Sequence, residues 1–349
     1  MGLLPSRNII EMCKEAGFIS AGITKPVSTK FATEFINWLD EGKHGEMTWL
    51  ANNVEIRLNP SQLMAGAQSI ICVADRYAHA TGNQWPDSGG LIARYAYGSD
   101  YHKQIKKRLH KICDTLAMET GEDFRACVDT APLLEREIAA NAGIGSIGKN
   151  TLLLEKGVGS WFFLGAIVTT AKIETTEHPP IDPCGTCTQC IDACPTKAIT
   201  PWSVDATKCI SYLTIEHRSL IDPQFFEPIG QWIFGCDICQ EVCPHNQETV
   251  KGRGVQVNEA YLSERTSLNV LEVMNWDEKQ YRETFRGSSM KRAKLGMIRR
   301  NAIIVAGNLM SDSKNDPFLQ SIRIIAQDTN ELPLVRETAI EVLERRSTK

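Results

Sequence analysis

The sequence predicts an α+β protein built in three parts, and three observations carry that expectation. Helical and strand signals alternate over residues 1–178, eight cysteines crowd the stretch 184–243, and a helical pattern recurs with a 37-residue period near the C-terminal end. The expected layout is an α/β sandwich-like catalytic domain (1–178), a ferredoxin-like domain (179–250) and a HEAT-like helical domain (251–349). A chain of 349 residues is long enough for two or three such domains.

In the first part, Ile9 to Ala16 and Phe31 to Leu39 carry apolar residues at helical spacing. Ser69 to Ala74, Phe124 to Val128 and Trp161 to Val168 read as buried strands, and Pro179-Pro180 punctuates the end. Hydrophobic residues make up 42% and charged residues 23%, as in ordinary globular proteins. The formal net charge of -4 excludes a globally basic nucleic-acid binder but leaves room for local basic patches. No apolar run reaches the roughly 18 residues of a membrane span, and the first residues show neither a twin-Arg nor a signal-peptide pattern, so a cytoplasmic protein away from the membrane is expected.

Twelve cysteines in a reducing compartment point to metal or redox chemistry rather than disulfides. Cys13, Cys72, Cys113 and Cys127 are scattered. Cys184, Cys187, Cys190 and Cys194-Pro195 follow the C-x2-C-x2-C-x3-C-P run of bacterial ferredoxins, in which three thiolates hold one four-iron cube and the fourth crosses to another. A second copy, Cys236, Cys239 and Cys243-Pro244, has Ile233 where its first cysteine belongs. Two cubes need eight thiolates, so Cys209 is expected to supply the missing one. The resulting sets are Cys184, Cys187, Cys190 and Cys243 for one 4Fe-4S cluster, and Cys194, Cys209, Cys236 and Cys239 for the other. Zinc knuckles would need only paired C-x2-C units, without the two crossover cysteines. Two adjacent clusters form an electron wire, and the long flanking stretches imply that the wire ends on a catalytic site.

Gly143 to Asn150 (GIGSIGKN) matches G-x-G-x-x-G and nearly a phosphate-binding loop, but it follows a helical stretch instead of a strand, and Asn150 stands where Ser or Thr is needed. The better reading is a glycine loop that lets backbone approach a large flat ligand. Asp129, at the end of a strand, reads equally as a general acid or as a helix cap. Arg57 and Tyr97 carry no signal by themselves.

Near the C-terminal end, Ile298 to Val305 and Val335 to Val342 align, like paired HEAT helices. Arg286 to Arg300 holds six basic residues and no acid, and Lys103, Lys106, Lys107, Arg108 and Lys111 share a helix. Such runs are solvated faces or contacts for a polyanion such as RNA.

The stretches RYAYGSDYH (94–102), VDTAPLLEREIAANAGIGSIGKNTLLL (128–154), GSWFFLGAI (159–167), PCGTCTQCIDACPTKAI (183–199), CISYLTIEHR (209–218) and GCDICQEVCPHN (235–246) resemble the epoxyqueuosine reductases, the cobalamin-dependent enzymes that complete queuosine in tRNA. The resemblance implies reduction of epoxyqueuosine to queuosine in the anticodon loop, with electrons passing from an external donor through two 4Fe-4S clusters to a cobalamin held by the N-terminal domain. Asp100-Tyr-His102 opens like a D-x-H-x-x-G corrin motif but has Ile105 in place of Gly, so a base-off cobalamin is expected. Cobalamin contacts are expected from Arg57, Tyr97, Asn150, Ser160, Ser211 and Asp237. Asp129 is expected to be the acid, its pKa raised by burial against the corrin. Arg218, Lys291, Arg292, Lys294, Arg299 and Arg300 are expected on the anticodon stem-loop, and the protein is expected to be a monomer. A reductive dehalogenase, which also combines a corrin with two clusters, and a simple iron-sulfur electron-transfer protein are the alternatives.

Overall fold

The computed structural model describes residues 2–78, 89–176, 181–248, 257–263 and 265–347. The expected boundaries at 178/179, beside Pro179-Pro180, and at 250/251 fall outside those residues.

The strands Ser20–Thr24 (β1), Ser69–Arg76 (β2), Gly89–Ile92 (β3), Phe124–Cys127 (β4), Ser146–Ile147 (β5), Leu153–Leu154 (β6), Phe162–Thr169 (β7), Ile199–Thr200 (β8), Ser203–Val204 (β9), Trp232–Phe234 (β10) and Ser267–Asn269 (β11) form four sheets. The principal sheet has the order β1-β2-β7-β4, antiparallel throughout. β2 and β7 are nearly unbroken apolar runs because both faces of the sheet are covered. On one face Ile71, Val73 and Ile167 meet Ile105, Leu109 and Ile112 of the helix Tyr101–Thr120. On the other, Ile70, Cys72 and Val168 meet Leu133 and Ile138, the latter on the helix Glu135–Asn141. Gly165 permits the first packing, since a Cβ there would stand 2.8 Å from Ile105 Cγ2. Helices therefore cover both faces of this sheet. The four scattered cysteines belong to its cores, and burial pushes Cys13 and Cys113 up to about 12, so they pack as inert thiols.

β10, β3 and β11 form a second sheet, β10 parallel and β11 antiparallel to β3. One strand from each expected part is thus hydrogen-bonded into a single sheet, and one apolar cluster runs from Ile92 through Phe234 and Leu268 to Ile303 and Val335. The three parts are stitched together rather than strung out. Between them lie the short helices Gln189–Asp192 and Ile238–Glu241, which pack against each other and carry Cys190 and Cys239.

The two repeat segments fall on the helices Leu295–Leu309 and Pro333–Ser347, which pack together with Pro317–Gln327 between them in sequence. A Cβ at Gly307 would stand 2.7 Å from Val342 Cγ1, so the helices approach closely. Leu295–Leu309 is enclosed along nearly its whole length, which corrects two expectations. Arg300 is fully buried, donating to the carbonyls of Leu213, His217 and Ser219, and Arg299 donates to Met274 O and pairs with Glu331. A guanidinium so enclosed satisfies backbone carbonyls instead of phosphates. Arg108 likewise turns inward, onto Asp75, which Tyr261 also approaches at 2.6 Å.

No helix among the described residues is long and apolar enough to cross a membrane.

Candidate active site and cluster-binding module

Asp100 caps the helix Tyr101–Thr120, accepting the His102 N–H at 3.1 Å. That cap fixes His102 in the first turn, where its ring reaches the loop just beyond β4. The His102 Nδ1 stands 2.8 Å from Asp100 Oδ1, and the Nε2 stands 2.9 Å from Asp129 Oδ2. Asp129 takes a left-handed backbone conformation (φ 52°), which aspartate tolerates better than most residues. Its N–H donates to Glu135 at 2.7 Å, and the Tyr101 hydroxyl bonds its carboxylate. Tyr101 in turn stacks between His102 and Phe163, with ring centroids 4.0 and 4.1 Å away.

The electrostatics of this group are set by its own hydrogen bonds. Burial pushes the Asp129 carboxyl upward, but the His102 hydrogen bond and charge, with help from Tyr101, pull it below its ordinary range. The side chain remains 57% exposed. Burial works against a charged His102, yet the two carboxylates override it and hold the imidazole above its usual value. The proton thus resides on His102, between two acceptors. Glu135 is the carboxyl that stays protonated near neutrality: burial first, and then the Asp129 charge, push it up to about 8. The sequence reading weighs Asp100-Tyr-His102 only as a corrin motif and sets it aside, and it gives Tyr101 and Glu135 no role.

Cysteines of each expected set lie within electrostatic reach of one another, and Cys239 also reaches Cys190 of the other set. Cys190 and Cys243 each have Cys184 and Cys187 as electrostatic neighbours. Cys209 faces Cys194 and also adjoins Cys236 and Cys239. Ile233 is fully buried in β10, its side chain against Gly90, so the position that lacks a cysteine is a core position of a strand. Among the described residues no three His, Cys, Asp or Glu side chains converge as ligands of a single metal ion. In the first set Cys184 and Cys187 are half-buried around an exposed Gly185, while Cys190 and Cys243 are buried; the four cysteines of the second set are half-buried, with Cys239 in electrostatic reach of the buried Tyr77 and of Arg136.

Three of the expected cobalamin contacts belong to one neighbourhood beside the second set. Asp237 accepts the Arg94 N–H at 2.7 Å, and burial, the largest effect, pushes its carboxyl up to about 7. Gln240 links Asp237 to Ser160, whose hydroxyl lies 2.8 Å from Gln240 Oε1. The Tyr97 phenol feels the Asp237 and Arg94 charges and lines an open groove of about 770 Å³ with Gly98, Ser99 and Arg286. Ser211 lies in the turn after Cys209, half-buried. Asn150 caps its own turn by accepting the Leu152 N–H. Arg57 stands apart, in a narrow cleft with Thr29 and Glu137. It is buried, its Nε has no partner, and its Nη2 makes only a 3.4 Å bond to Trp49 O. Such an orphaned buried donor fits a ligand rich in amides and phosphate, as a corrin is. The glycine loop, expected to approach a ligand, instead closes on protein: a Cβ at Gly145 would stand 2.4 Å from Leu154 O, and one at Gly148 2.8 Å from Leu154 Cδ1.

Arg218, Lys291, Arg292 and Lys294 are exposed. Arg292 pairs with Glu216 at 2.7 Å and lies within electrostatic reach of Asp129, so the cationic rim borders the His102–Asp129 pair.

Neighbouring thiols near an acid–imidazole pair, at the edge of a sheet covered by helices, fit the class of iron-sulfur oxidoreductases. The comparisons agree. A model described as a 4Fe-4S double cluster binding domain matches residues 183–246, and one described as epoxyqueuosine reductase QueG, DUF1730, matches residues 57–130. The epoxyqueuosine reductase of Xanthomonas campestris pv. campestris is 38% identical over 307 residues, covering 85% of each chain. That of Salmonella typhimurium is 38% identical over 316 residues, covering 87% of this chain and 80% of the relative. The chain belongs to the epoxyqueuosine reductase family. Its fold matches the Streptococcus thermophilus enzyme with a TM-score of 0.85 at 28% identity, over 99% of this chain and 90% of that one. An epoxyqueuosine reductase crystallised with an epoxyqueuosine-modified tRNA-Tyr stem loop matches with a TM-score of 0.84 at 26% identity, over 97% and 90%. The Bacillus subtilis enzyme, described with its catalytic loop swung out of the active site, matches with a TM-score of 0.82 at 26% identity, over 97% and 90%.

Proposed function

We propose that this chain reduces epoxyqueuosine to queuosine in the anticodon loop of tRNA. The observation that carries the reading is the His102–Asp129 pair, set beside two thiol sets and a cationic rim in a chain of this family. The reaction takes up two electrons and two protons, releases one water and leaves an alkene. Cys184, Cys187, Cys190 and Cys243 would hold one 4Fe-4S cluster and Cys194, Cys209, Cys236 and Cys239 the other, and the pair would supply the two electrons, one at a time, from an external donor.

Bound base-off cobalamin would supply the reduced cobalt that attacks the epoxide. Arg57 would hold the corrin through its unpartnered Nε, and Tyr97, Ser211 and the Ser160–Asp237 neighbourhood would form a wall for it. The proton held on His102 Nε2 passes through Asp129 Oδ2 to the departing oxygen, with Asp129 the residue that faces solvent and substrate. Arg218, Lys291, Arg292 and Lys294 hold the stem-loop backbone around that opening while the target nucleotide is drawn from the stack. The C-terminal helices, read as HEAT-like, support this rim, and the protein acts as a cytoplasmic monomer.

The test is anaerobic incubation of the protein, reconstituted with iron, sulfide and cobalamin, with an epoxyqueuosine-containing stem-loop and dithionite. Loss of one oxygen atom from the modified base, read by mass spectrometry, is the expected result. A fully loaded protein that leaves the base intact overturns the reading.

A further inference from the structure

The GIGSIGKN segment has no part in the function just described, yet its lysine lies against a cluster loop. Gly143 ends the helix Glu135–Asn141, and Gly145 and Gly148 let β5 close tightly on β6. That hairpin delivers Lys149 to the first thiol set. The Lys149 N–H donates to Cys184 Sγ at 3.3 Å. Its ammonium donates to the carbonyls of Gly185 at 2.6 Å and Cys187 at 3.0 Å. The residue is only 8% exposed. Trp202 closes the site over it, its N–H on Lys149 O at 3.0 Å and its ring centroid 5.8 Å from the ammonium. Lysine is almost never enclosed in this way unless its charge is used.

We propose that Lys149 sets the reduction potential of the first cluster, the one held by Cys184, Cys187, Cys190 and Cys243. The inference rests on the two-cluster reading above. When a 4Fe-4S cluster passes from its 2+ to its 1+ state it gains one electron and one unit of negative charge. A fixed cation beside it and an N–H bond to a ligating sulfur both favour that state, and burial strengthens both effects. The second set also accepts an N–H bond, from Ala198 to Cys194 Sγ at 3.3 Å, and has Asp237 and Arg136 in electrostatic reach, but among the described residues no lysine ammonium bonds to the carbonyl of one of its cysteines. Lys149 is therefore a positioning residue that biases the first cluster toward accepting an electron.

The experiment is a dithionite redox titration of the reconstituted holoenzyme, followed by low-temperature paramagnetic resonance, for the parent, Lys149→Gln and Lys149→Arg. Iron is measured in each. The expected result is that Lys149→Gln keeps both clusters while one of the two reduction waves moves to more negative potential and the other stays. Lys149→Arg, which keeps the charge, should restore the parental wave. Unmoved waves, or two waves moving equally, overturn the inference. Loss of iron in Lys149→Gln overturns it as well, by assigning the lysine to loop holding alone. A parent with a single cluster overturns the two-cluster reading itself, and that failure is visible before any variant is compared.

Discussion

His102 Nε2 stands 2.9 Å from Asp129 Oδ2 while the Nδ1 of the same ring stands 2.8 Å from Asp100 Oδ1. An imidazole with carboxylates at both nitrogens donates from both and is therefore held as the cation. Proton supply at the site thus depends on a helix cap and a strand-end aspartate meeting across the fold, with the imidazole as the store.

This arrangement gives the site a pH dependence of definite sign. The raised pKa of His102 means that its contribution to stability is complete below about pH 6.5 and is lost as the pH rises through its folded value. Asp129, with its pKa lowered, contributes above the ordinary carboxylate range and loses that contribution as the pH falls through its folded value. Unfolding midpoints of parent and His102→Gln, compared between about pH 5 and 9, should therefore differ most at the acid end and converge toward the alkaline end. A gap that is constant with pH would refute the charged imidazole.

The cluster assignment makes its own prediction at Cys209. Since Ile233 is walled into β10, Cys209 is the thiol available to complete the second set. Cys209→Ala should lose one cluster of two, seen as a halved iron content and an altered paramagnetic signal. Full iron in the variant would contradict the assignment.

The basic stretch before and within the helix Leu295–Leu309 divides into two kinds of residue. Lys291→Glu with Lys294→Glu should weaken stem-loop binding and flatten its salt dependence, leaving the unfolding midpoint close to the parent's. Arg300→Met should do the reverse. It strands three carbonyls, each costing about 1–3 kcal/mol when buried and unpaired, so the midpoint falls while the salt slope of binding stays. Equal effects of the two changes on either measurement would remove the distinction.

What could be read from the sequence, and what could not, follows the range of each signal. The cysteine sets are legible as candidates because ferredoxin ligands sit at fixed local spacings, and counting points to Cys209 for the position that Ile233 leaves vacant. The core strands are legible because β2 and β7 are apolar on both faces. The partner of Asp129 was not legible: the carboxylate meets His102, 27 positions earlier, through a contact that no local spacing announces. Arg299 and Arg300 look in sequence like Lys291 and Arg292. Only the packing of their helix against Leu213 and Met274 turns them inward. The glycine loop misled for a similar reason, since close backbone approach has the same sequence whether the neighbour is a cofactor or Leu154.

The central claim is that Asp129, fed by His102, delivers the proton that lets the epoxide oxygen leave. Its most direct test is single-turnover conversion of an epoxyqueuosine stem-loop by Asp129→Asn, with iron and cobalamin content and stem-loop affinity measured on the same preparation. The account predicts parental cofactor loading and affinity with alkene formation slowed by on the order of 10²–10⁴. Conversion at the parental rate in the fully loaded variant would contradict it and reduce Asp129 to a structural turn residue.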